Sequence, residues 1–258
     1  MIGRIIGDRG TRQALRRIDR PAAALLALAQ AIVASVGWFV EPVFLAVAVA
    51  VQLALGGIGA VRVLGPARPE LGLARYAMPA AAGIAVTLVG RLVPGGISLL
   101  LIPVVAVLLW TVTYLELRVE RGTGGQTTGN LLLFAVLVAA TWGLLELFGP
   151  RAWPTPLVVV ALFALPLALR AAEARGALGA EGVGQALLQV LVVGQVAAAV
   201  ILLQMPVYAM SALIGFAFYV WGGAAEVLRG GASGRSVALE SGALALVGLL
   251  AGLLLHRP

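Results

Sequence analysis

The chain has 258 residues, 61% of them hydrophobic and only 11% charged, and 18 Arg against 11 acidic residues give a formal net charge of +7. A soluble domain carries roughly 45–50% apolar and about 25% charged residues, so this chain cannot cover itself with polar surface and must turn apolar faces to hydrocarbon. It has no Lys, no Cys and one His, which excludes disulfides, thiolate metal sites, cysteine nucleophiles and multi-His metal centres.

Asp8 and Asp19 are the only aspartates and both precede the first apolar stretch, so no cluster of carboxylates on facing helices is expected to hold a diphosphate through magnesium. The arginines border apolar segments instead of lining one face, which argues against nucleic acid as a partner. No cofactor and no metal is expected. The expected partners are the lipid bilayer and either other membrane subunits or a second copy of the chain.

Residues 1–21 form a basic segment with Ile and Leu at roughly helical spacing. It reads as an amphipathic helix on an anionic cytoplasmic leaflet, or as a disordered basic tail that only sets topology. Residues 22–258 read as a single all-α polytopic transmembrane bundle domain. Apolar stretches fall at 22–40, 43–61, 76–93, 97–115, 130–148, 155–170, 185–204, 207–228 and 237–255. Most have the roughly 17–25 residues that a membrane-crossing helix needs. Nine helices are therefore expected, as four hairpins plus a final helix. Eight is the alternative, because 155–170 is short and contains Pro166.

The arginines set the orientation. With a cytoplasmic N-terminus, six Arg in 1–20 fall inside with Arg62, Arg68, Arg75, Arg118, Arg121, Arg170, Arg175, Arg229 and Arg235, and only Arg91, Arg151 and Arg257 fall outside. This 15-to-3 division follows the positive-inside rule at every crossing and puts the N-terminus on the cytoplasmic side of the membrane. Trp38, Trp142 and Trp153 near outer ends, and Tyr76, Trp110, Tyr114 and Trp221 near inner ends, read as aromatic belts. The first and fourth hairpins look alike, with Gln30 and Pro42 matched by Gln195 and Pro206. A parallel repeat and coincidence both remain open.

Polar groups inside a membrane are costly, so each is a candidate site. Gln30, Gln52 and Gln195 sit near expected midplanes. They read either as interhelical glue or as an uncharged polar lining. Glu41, Arg91, Glu146 and Gln204 form an outer set, in which Arg91 is expected to pair with Glu41 or Glu146. Glu116, Arg118, Glu120, Glu226 and Glu240 form an inner set. Gly248 and Gly252 make a candidate helix-packing face. No catalytic motif is present, and no enzyme activity is expected.

Tyr114-Leu115-Glu116, Phe218-Tyr219-Val220, and Glu240 ahead of Val247-Gly248-Leu249-Leu250 resemble a family of bacterial polytopic membrane proteins known as a domain of unknown function. The resemblance spans 76–121 and 185–254. It implies a multi-helix bacterial membrane protein and carries no activity. The function expected is an accessory, scaffold or assembly subunit of a membrane complex. The alternative is a carrier or channel for a small neutral or lipidic solute.

Overall fold

The computed structural model describes residues 20–64, 74–93, 95–120, 126–149, 154–231 and 233–255. The basic segment up to residue 19 lies outside them. All regular structure among the described residues is helical. In hydrocarbon only a helix or a closed barrel satisfies every backbone N–H and C=O.

In chain order the helices are α1 (Arg20–Phe39), α2 (Pro42–Ala54), which passes through a π-helical turn (Leu55–Gly59) into α3 (Ala60–Leu64), and then a 3-10 turn (Ala74–Tyr76) leading into α4 (Ala77–Gly90). There follow α5 (Gly95–Glu120), α6 (Gln126–Phe148), α7 (Thr155–Ala174), α8 (Gly179–Leu202), α9 (Val207–Arg229) and α10 (Gly234–Leu255). With α2 and α3 counted as one rod, the described residues form nine, at the nine expected positions. The segment expected to be short is full length. α7 runs for 20 residues, straight through Pro166. Within a bundle, neighbouring helices compensate for the backbone donor that the proline lacks.

Six helices are long and apolar enough to cross a membrane, and the apolar stretches Ala74–Gly90 and Leu100–Glu116 are shorter. Val43, Ile58, Leu100 and Leu202 are each 72–78% exposed. Such a surface suits lipid and not water, and the chain is built as an integral membrane protein.

The centre of the bundle is α4. It packs against α1, α2, the π turn, α5, α6 and α7, and eleven of its 14 residues are buried. Its sequence explains its position. Lipid tails are as apolar as Leu, so helices in a bilayer associate through close packing, and small residues allow it. Ala80, Ala81, Ala82, Gly83 and Ala85 supply that surface. On the facing π turn, a Cβ added to Gly56 would lie 2.3 Å from the Ala80 Cα, so glycine is required there. At 1.5 Å per residue α4 rises only about 21 Å, short of a roughly 30 Å hydrocarbon core. Enclosed by protein, it does not have to match the lipid.

α6 joins the two halves by packing on α4 and α9, and α7 packs on α8. α10 lies at the edge against α9. There the Gly248 backbone meets Phe216, whose Cε1 would be 2.5 Å from an added Cβ. Gly248 is thus used for packing within the fold, while the surroundings of Gly252 lie outside the described residues.

Candidate functional site

Two polar centres form from the described residues. The first joins α1, α2 and α4. Gln30 and Gln52 are both fully buried. The Gln30 amide Nε2 donates to the Pro79 carbonyl at 2.9 Å. The Gln52 Nε2 donates to the Gln30 carbonyl at 2.8 Å and to the Thr87 hydroxyl at 3.3 Å. Thr87 in turn donates to the Gly83 carbonyl at 2.7 Å. The amides fit because residue 83 has no side chain: a Cβ there would lie 2.4 Å from Gln52 Oε1 and 2.9 Å from Gln30 Nε2. These amides fasten helices to one another through backbone carbonyls.

Gln195 does not join them. It lies on the exposed face of α8, so the three candidate glutamines do not form one shared lining. The buried glutamine of that helix is Gln189, whose Nε2 donates to the Phe218 carbonyl of α9 at 3.0 Å. Gln189 and Gln195 are six residues apart, about 600° around a 3.6-residue helix, so they point to different faces. A signal was present in the sequence. Gly182, Ala186, Gln189, Val193 and Ala197 recur every three or four residues, and all five are buried. This stripe of mostly small residues marks a packed face, and Gln195 lies off it.

The outer set does not assemble either. Arg91 donates to the Gly37 and Val40 carbonyls, each at 2.8 Å, and so caps the C-terminal end of α1. It pairs with neither Glu41 nor Glu146. The last carbonyls of a helix have no intrahelical partner and attract a cation, and they lie closer than either carboxylate. Glu41 is exposed at the N-cap of α2, and Glu146 accepts from the Trp142 indole at 3.4 Å. Gln204 is exposed in the α8–α9 turn with φ 51°. Trp38 is buried instead of belted: its indole donates to the Val86 carbonyl at 3.1 Å.

The second centre lies at the end of the bundle where α5, α7 and α9 finish and α8 begins. Arg170 of α7 and Glu116 of α5 form a buried ion pair, with both Arg170 Nε (2.9 Å) and Nη2 (2.5 Å) on Glu116 Oε2. Glu173 accepts from the Ala74 N–H at 2.9 Å and caps the turn ahead of α4. Arg229 donates to the Arg175 carbonyl and to Glu181. Arg175 ends α7, followed by Gly176 at φ 82°. A 6→1 bond from Ala177 N to Ala172 O closes that helix end. Burial pushes the Arg175 guanidinium below its ordinary value; Glu226 opposes this and Arg229 adds to it.

Of the inner set, Glu116, Glu226 and Glu240 border this end, while the side chains of Arg118 and Glu120 lie outside the described residues. In the sequence Arg170 and Arg175 mark only orientation, and the partner of Arg170 lies 54 residues away on another helix. Among the described residues, no three His, Asp or Glu gather as a metal site would need. No protein-family model, no curated protein and no solved structure matches this chain.

Proposed function

We propose that the protein is a non-catalytic subunit of a membrane complex, serving as an accessory, scaffold or assembly chain. In this reading it sits in a bacterial cytoplasmic membrane with its N-terminus inside. The observation that carries the reading is the condition of the midplane amides. Gln30 and Gln52 are fully buried and bonded across helices, and Gln195 faces outward. A carrier built on these three would need them to share one open space. The division of the arginines supports the orientation, and the resemblance to bacterial polytopic proteins supports the source.

Two experiments test it. The protein is extracted from its own membrane in mild detergent and weighed by native mass spectrometry. A stoichiometric protein partner or a second copy is expected, and a lone monomer under every extraction condition counts against the subunit reading. For orientation, a cysteine is appended after Pro258 in this otherwise cysteine-free chain. With nine crossings it should react with an impermeant maleimide in intact cells, and protection would reverse the topology.

A further inference from the structure

At the end of the bundle that carries Arg175, two recesses of about 300 and 370 Å³ adjoin and share Asn130, Leu133, Arg175 and Glu226. The larger recess shares Phe216, Val220, Val237 and Ser241 with an apolar groove of about 590 Å³. That groove runs along α8 and α9 beside the start of α10, and Val196, Leu203 and Leu213 also line it. The chamber that holds these polar side chains therefore adjoins an apolar groove with room for a hydrocarbon chain.

The charges of the chamber are unevenly used. Arg170 is held by Glu116 and Arg229 by Glu181. Arg175 is not held in this way: its Nε and Nη2 are buried without a hydrogen-bond partner. The Gln189 Oε1 beside it is likewise unbonded. Both side chains converge above Gly222, where an added Cβ would lie 3.6 Å from Arg175 Nη1 and 3.7 Å from Gln189 Nε2. Glu226 and Glu240 line the same chamber, are exposed, and form no ion pair with another described residue. Glu240 only accepts from the Ser236 hydroxyl at 3.5 Å. A guanidinium with two unbonded nitrogens thus shares one cavity with two carboxylates, and Glu226 attracts it without bonding it.

The geometry points to a binding site for a zwitterionic amino-phospholipid, with its phosphodiester on Arg175, its ammonium on Glu226 and Glu240, and an acyl chain in the α8–α9–α10 groove. Buried donors left unmade are costly, and a phosphate oxygen satisfies them with charge-assisted bonds. Basic pockets between membrane helices favour anionic headgroups. Here Arg170, Arg175 and Arg229 meet Glu116, Glu226 and Glu240, and Glu181 on Arg229 makes a fourth carboxylate, so a net anionic head would meet repulsion. A choline head brings positive charge but no N–H for the carboxylates. The site does not depend on the subunit reading.

The test uses the full chain in nanodiscs of equal phosphatidylethanolamine, phosphatidylglycerol and phosphatidylcholine with identical acyl chains. Native mass spectrometry reads the lipid retained. One phosphatidylethanolamine per chain is expected, favoured at least about tenfold. Arg175→Gln should lower that retention about tenfold, since charged hydrogen bonds are lost. The double variant Glu226→Gln with Glu240→Gln should erase the preference over phosphatidylglycerol. Gly223→Leu guards against misfolding: Gly223 lines the recess, and an added Cβ meets nothing within 4 Å. It should fill the chamber and abolish retention with the unfolding midpoint unchanged or raised, since leucine favours a helix over glycine. Equal retention of the three lipids, or wild-type retention by both Arg175→Gln and Gly223→Leu, overturns the proposal.

Discussion

Gly83→Ala adds one methyl group to the middle of α4, and the surroundings decide the sign of its effect. On an exposed helix the change would stabilise by about 1 kcal/mol through helix propensity. Here the new Cβ would sit 2.4 Å from Gln52 Oε1 and 2.9 Å from Gln30 Nε2. Both atoms end flexible side chains, yet both amides are bonded across helices, so giving way breaks those bonds. Overpacking costs about 1–3 kcal/mol, and each interhelical bond lost in a membrane costs about 0.6 kcal/mol. After the propensity gain, a net destabilisation of about 1–3 kcal/mol is expected. The decisive comparison is a double-mutant cycle with Gln52→Ala. Removing the Gln52 amide takes away the closest contact and leaves Gln30 Nε2, at 2.9 Å, room to withdraw, so Gly83→Ala should cost far less in that background. Reversible unfolding in mixed micelles, followed by tryptophan fluorescence, gives the four free energies. Additive effects, with coupling below about 0.5 kcal/mol, would refute the account of Gly83 as the socket for the two glutamines.

Three further outcomes are expected. Gln195→Leu should change stability by no more than about 0.5 kcal/mol, because Gln195 faces outward from α8; a loss above that on the same titration would mean that Gln195 has a partner. Glu116→Gln should cost about 3–5 kcal/mol by leaving the buried Arg170 without its counter-charge, and the double change Glu116→Leu with Arg170→Met should recover most of it, read from unfolding midpoints. Gln204→Gly should stabilise by about 0.5–1 kcal/mol: the residue stands at φ 51° in a helix-ending motif closed by Gln204 N to Ile201 O and Met205 N to Val200 O, a conformation that costs an L-residue about 1–2 kcal/mol, less the chain entropy that glycine adds. A lowered midpoint would show that the Gln204 side chain contributes a contact.

Positions of helices were legible because hydrocarbon imposes a length and forbids unpaired backbone. Glycine and proline then marked the boundaries, as at Glu41-Pro42 and Met205-Pro206. Helix faces were far less legible. In water a buried face differs from a wet one by polarity, whereas here Leu137 in the core and Leu131 on the surface are chemically alike. Depth alone therefore favoured Gln195 over Gln189. Arg91 misled for a related reason. Opposite charges at one depth suggested an ion pair, but the free carbonyls at the end of α1 are acceptors that a sequence does not display.

The chain's residues taken alone determined the solvent and the positions of the rods. Each depends on composition and spacing along a single helix. Partnership came only with the tertiary structure. Gln30 meets Pro79 across 49 residues, Glu116 meets Arg170 across 54, and Arg175 keeps two unbonded nitrogens beside Gln189 and Glu226 because α7, α8 and α9 finish or begin together. Contacts of that range depend on how rods pack. In a bilayer, packing turns on where glycine and alanine let two backbones approach, and α4 became the centre of the bundle for that reason.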